Sequence, residues 1–87
     1  MKAVITVIGK DKVGIIAKVS ALLLKHNINI LDISQTIMQD LFTMIMLVDM
    51  QGTSVSDLKD GIQEIENEMN LSIRVQNEDI FNSMHRI

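Results

Sequence analysis

Cysteine is absent from this 87-residue sequence, and so are proline, tryptophan and tyrosine. Without cysteine there are no disulfides, thiolate metal sites or thiol nucleophiles, and no redox signal of compartment. Phe42 and Phe81 are the only aromatics, so a stacking platform for single-stranded nucleic acid is hard to build. Eight basic residues against eleven acidic ones leave a formal net charge of −3, and the lysines are scattered rather than gathered in a stripe. Direct nucleic-acid binding is therefore not expected. No run approaches the ~18 apolar residues that suggest a membrane span. The chain opens on strand-like Ala3–Ile8 rather than on a signal peptide. These absences predict a cytoplasmic protein that touches neither membrane nor nucleic acid. With no linker or low-complexity run, residues 1–87 read as a single domain.

What is present is aliphatic: 47% of residues are hydrophobic, seven of them Met. Residues 3–8 are continuously apolar or β-branched and stop at Gly9, as in a strand buried on both faces. From 14 to 26, Ile15, Val19, Leu22, Leu23 and His26 recur at helical spacing, with Lys18 and Lys25 opposite. Asn27 suits a helix stop. Residues 28–39 begin in strand alternation, then change phase, which predicts a β-bulge near Ile30–Leu31. Gln39-Asp40 is the hairpin turn into an apolar strand at 41–48. Ser54 and Asp57 resemble a capping pair, and Val55, Leu58, Ile62, Ile65 and Met69 form the clearest helical stripe. Residues 71–76 alternate as a strand with one wet face. Ile80, Phe81, Met84 and Ile87 predict a short amphipathic C-terminal helix.

The order β-α-β-β-α-β predicts an α+β, ferredoxin-like fold: a four-stranded antiparallel sheet with two helices on one face and that short C-terminal helix. Right-handed crossovers place the first and third strands centrally, where the sequence is most apolar. The uncovered face would carry part of Leu41–Val48 into water, so the tail or a second copy is expected to cover it. A homodimer is the expectation.

Chemistry concentrates at Gly9–Ala17, where a strand ends, a polar turn follows and a helix begins at or after Gly14. A helix N-terminus suits carboxylates and phosphates, Gly14 permits close approach, and Asp11 can accept from an amino group. Alternatively, Asp11 caps the helix and the glycines shape a turn. His26 and His85 lie too far apart for a metal or catalytic centre, which needs three or four converging groups. The carboxylates Asp57, Glu64, Glu66 and Glu68 read as the wet face of the second helix. Asp32 either faces solvent or pairs with Lys10 or Lys12. The Met residues of the hairpin (Met38, Met44, Met46, Met50) read as core and interface filling. No catalytic residue, metal ligand or cofactor is assigned, and an enzyme is not expected.

The segment Lys10-Asp11-Lys12-Val13-Gly14-Ile15-Ile16-Ala17-Lys18-Val19 resembles the Asp-Arg/Lys-x-Gly-Ile/Leu signature of ACT domains. Asn27-Ile28-Asn29-Ile30-Leu31-Asp32 resembles that family's Asn-Ile segment in the second strand. The similarity spans the chain, and it is closest to free-standing bacterial ACT proteins. It extends to the N-terminal ACT region of formyltetrahydrofolate deformylase and the glycine-cleavage repressor. The resemblance implies a regulatory homodimer that binds an amino acid or related metabolite between protomers. It implies contacts from Asp11, Val13 and Gly14 of one copy and Asn29 and Ile30 of the other. The chain departs from the family at Val13, where many amino-acid-binding members have proline, and at Gly9, where some have a polar residue or histidine. The competing reading is a protein–protein interaction or assembly module with no metabolite ligand, acting on an unidentified regulated protein.

Overall fold

The computed structural model describes residues 1–78. The helix expected over 79–87 lies outside the described residues. The elements are β1 (Lys2–Gly9), α1 (Lys12–Lys25), β2 (Asn29–Met38), β3 (Leu41–Asp49), α2 (Val55–Met69) and β4 (Ser72–Asn77). The four strands form one antiparallel sheet in the order β2-β3-β1-β4, so the first and third strands are central, as the crossover rule requires. This is the ferredoxin-like arrangement expected from the element order.

Alternation decides which side of the sheet is dry. Ala3, Ile5 and Val7 of β1 stand beside Phe42, Met44, Met46 and Val48 of β3 and Ile73 of β4. Ile15, Val19 and Leu23 of α1 and Leu58 and Ile65 of α2 complete the core on that side. Three of the four hairpin methionines (Met44, Met46 and Met50) are buried, and Met38 is exposed. The opposite face carries Ile8, Leu41 and Ile45 into solvent, while Val4 on the same face is buried and Leu47 half-buried.

Both helices are capped by side chains. Ser54 and Asp57 form a reciprocal capping box: Asp57 N–H donates to Ser54 Oγ (3.2 Å) and Ser54 N–H donates to Asp57 Oδ2 (2.9 Å). Hydrogen bonds from the Ser54 backbone, and then its side chain, hold the Asp57 carboxyl below its ordinary value. A carboxyl depressed in the folded state stabilises it at neutral pH. That contribution is lost as pH falls through the folded value, below the ordinary carboxylate range. Ser54→Ala is expected to lower Tm by roughly 4–8 °C at pH 7. The gap should shrink as pH falls through that range, a comparison that paired thermal melts can make. A gap independent of pH would mean that the Ser54 hydroxyl has no part in holding the Asp57 carboxyl low, since the backbone N–H at position 54 is kept in the variant.

The bulge falls where the phase change placed it. The β2–β3 register shifts between Ile30 and Asp32, leaving Leu31 as the extra residue. Gln39 takes a left-handed conformation at the hairpin turn, and Asn27 does so after α1.

Candidate functional site

β1 ends at Gly9 because the chain must turn there beneath α1. A Cβ at Gly9 would stand 2.7 Å from Ile15 Cδ1 and 2.9 Å from Leu71 Cβ. The helix starts at Lys12, two residues earlier than the apolar spacing suggested. Asp11 is its N-cap, and the Asp11 carboxylate accepts from Gly14 N–H at 3.1 Å. Gly14 is a packing position as well: a Cβ there would meet Met69 Cε at 2.6 Å and Asp11 Oδ2 at 2.8 Å. Between them Val13 points outward, 77% exposed. The turn therefore offers a ligand the exposed Val13 side chain and the Asp11 carboxylate, one oxygen of which is engaged by the cap.

Asn29 and Ile30 open β2, and both are exposed. They lie at the far end of the sheet. Gly9 pairs with Phe42, whereas Asn29 pairs with Asp49, which also pairs with Lys2. The 14 residues of α1 span that separation, roughly 21 Å at helical rise. One protomer does not bring the two halves of the predicted site together.

Asp32 pairs with neither Lys10 nor Lys12. It accepts from the N–H of its own neighbour Ile33 at 2.8 Å. Lys10 reaches Asp40 at 3.9 Å, and the Lys12 ammonium lies 6.0 Å from the centre of the Phe42 ring. A cleft of about 400 Å³ opens beside the turn, with Lys10, Leu41, Met69 and Ser72 in its wall. A larger hollow of about 650 Å³ runs along α2 from Val55 to Glu66, away from this turn. Among the described residues, no three His, Cys, Asp or Glu side chains gather where they could hold a metal ion. No helix there is long and apolar enough to cross a membrane.

The sequence reading missed two groups. Glu66, taken as part of a wet face, is half-buried, and its Oε2 accepts the N–H of Ile73 at 3.0 Å. That N–H points away from β1, so Glu66 covers the outer edge of β4. Only its spacing next to Ile65, at the margin of the helical stripe, hinted at burial. The second is the Lys10–Asp40 pair, which joins two turns distant in sequence.

An ACT domain model matches residues 2–76. The chain belongs to the ACT domain family. A UPF0237 protein of Clostridium perfringens is 58% identical over the full length of both chains. The structure of an ACT domain protein from Streptococcus pneumoniae superposes with a TM-score of 0.80, at 39% identity over 93% of each chain. A formyltetrahydrofolate deformylase from Pseudomonas syringae matches with a TM-score of 0.75 at 25% identity, over 87% of this chain and 27% of that one. A structure described as a glycine cleavage system transcriptional repressor shares the fold, with a TM-score of 0.74 at 23% identity over 86% of this chain and 44% of that one. ACT domains are typically regulatory, small-molecule-binding domains, and this chain has that architecture.

Proposed function

We propose that this ACT protein is a cytoplasmic, homodimeric regulator of one domain. In this reading it senses an amino acid or a related small metabolite between protomers. Asp11, Val13 and Gly14 of one copy would meet Asn29 and Ile30 of the other there. The observation that carries it is the state of β2. All ten of its residues are exposed and none enters the core, although Ile30, Leu31, Ile33, Ile37 and Met38 are large and apolar. Such an edge invites another strand. The opposite edge is short and has Glu66 over Ile73, so β2 is the edge left for pairing.

Pairing two β2 edges about a two-fold axis runs the strands antiparallel. The start of one β2 then lies beside the end of the other. The end of β2 is also the end of the sheet where that copy's β1 enters the Asp11 turn. The dimer thus completes a site that one protomer holds in halves.

The test is calorimetry against the amino acids and folate-pathway metabolites. One of them is expected to bind, and Asn29→Ala is expected to weaken it about tenfold by removing a hydrogen-bonding amide. Because Asn29 is exposed, the Tm of the variant should stay that of the parent. The interaction-module reading has its own support: one oxygen of the Asp11 carboxylate is engaged by the cap, and Met69 fills the space beside Gly14. A dimer that gives neither heat nor a Tm shift with any compound of the panel would decide for that reading.

A further inference from the structure

We infer that the bulge in β2 and the uninterrupted run after it set the register of the dimer, with Gln35 on the two-fold axis and Ile33 of each copy against Ile37 of the other. This rests on the β2 pairing proposed above and makes it specific.

A two-fold axis perpendicular to the sheet keeps each side chain on its own face. Opposed residues must then differ by an even number, so the axis passes through a residue and not between two. Beyond the bulge, β2 runs without interruption from Asp32 to Met38, and Gln35 is the middle of that run. The sequence around it, Ile33-Ser34-Gln35-Thr36-Ile37, reads alike in both directions: apolar, hydroxyl, amide, hydroxyl, apolar.

The faces agree with this symmetry. Ile33 is registered with buried Met46, and Ile37 with buried Phe42, so both lie on the helix side of the sheet. They stand 42% and 60% exposed in the protomer. With Gln35 on the axis, Ile33 of each copy faces Ile37 of the other. Ser34 faces Thr36 on the opposite side, and the two Gln35 amides face each other. An axis at Ser34 would set Ile33 against an amide and Ile37 against the bulged Leu31. An axis at Thr36 would set Ile37 against an amide. The strand is self-complementary about one residue, which favours a second copy of this chain over an unrelated strand.

The register has a consequence for the site. Counting back through the bulge, Asp32 faces Met38 of the second copy, and Ile30 and Leu31 lie level with its hairpin turn at Gln39 and Asp40. Asp40 is the ion-pair partner of Lys10, the residue before Asp11. The turn that carries this ion pair therefore stands at the end of the interface nearest Ile30 and Leu31 of the second copy.

The absence of cysteine makes the test direct. Single variants Ile33→Cys, Ser34→Cys, Gln35→Cys and Thr36→Cys are oxidised with copper phenanthroline and run on a non-reducing gel. Each is first shown by sedimentation and melting to keep the parent's state. Opposed Cβ atoms in an antiparallel pair are about 4.5–5.5 Å apart, close to disulfide reach. One step off the axis displaces a residue from its own copy by about 7 Å along the strands, to a separation of about 8 Å. Gln35→Cys is expected to give roughly tenfold more covalent dimer than the other three. A mixture of Ser34→Cys with Thr36→Cys should link where the separate proteins do not. A dimer that links best at another of the four positions overturns the register and leaves the β2 pairing standing. A dimer that links at none of them overturns the β2 pairing too. A parent protein that sediments as a monomer at all concentrations removes the dimer itself.

Discussion

Ile33→Asp is expected to turn the dimer into a monomer. In the protomer this side chain is partly exposed on the helix side of β2, where neither α1 nor α2 covers it. In the proposed dimer it meets Ile37 of the second copy, and symmetry repeats the contact. One substitution therefore removes two apolar contacts and leaves two carboxylates against apolar surface. Burying the 42% of Ile33 still exposed in the protomer contributes about 1–3 kcal/mol over the symmetric pair, and forcing two carboxylates against apolar surface costs about 1–3 kcal/mol more for each. Together these correspond to a rise in Kd of about 10²-fold or more, within reach of sedimentation equilibrium. The fold of the protomer should survive, because Ile33 takes no part in its core. Leu24→Asp is the control: Leu24 is an exposed apolar residue of α1, and its substitution should leave the dimer intact. Should Ile33→Asp sediment as the parent does, β2 is not the dimer edge.

The role of β2 was the part of the fold least legible in the sequence. Residues Ile28 to Ile33, at and just before its start, read as an apolar set with a phase change, and the bulge was found because a slip of one residue is a local signal. The capping box and the central placement of β1 and β3 were legible for similar reasons: fixed spacing in one case, crossover handedness in the other. Exposure of the whole of β2 follows from something no local pattern carries. The core the two helices share with the sheet takes in β1, β3 and Ile73 of β4, and β2 is left outside. At the turn, the residue types pointed to the right junction but not to the competition there. The Asp11 carboxylate that an amino group would seek is already accepting from Gly14, and only a three-dimensional structure shows Met69 in the space beside it. Glu66 over the β4 edge is the same kind of fact: a carboxylate whose partner lies seven residues on, in another element.

Gly9→Val carries the largest expected loss of stability. Gly9 continues the helix-facing row of Ala3, Ile5 and Val7, and a side chain there would point into the junction of α1 and the α2–β4 turn. The first atom it would meet, Ile15 Cδ1 at 2.7 Å, is the tip of a side chain and can move. The second, Leu71 Cβ at 2.9 Å, is fixed to the backbone and cannot move without shifting the entry to β4. Overpacking of this kind costs about 3 kcal/mol, a large part of the roughly 5–15 kcal/mol that holds a domain folded. The expected drop in Tm is roughly 12–24 °C. Gly52→Ala is the comparison, since nothing lies within 4 Å of that position and only its φ of +88° opposes a side chain. It should cost about 1 kcal/mol. If Gly9→Val melts no lower than Gly52→Ala, the junction is looser than these distances imply. The same packing bears on recognition. Some ACT domains present a polar residue or histidine at this position, and here Ile15 and Leu71 fill the room it would need. In the proposed site, Gly9 offers a ligand only its backbone. Side-chain contacts then fall to Asp11 and Val13 from one copy and to Asn29 and Ile30 from the other, which is why loss of Asn29 should be felt in affinity while loss of the glycine is felt in the fold.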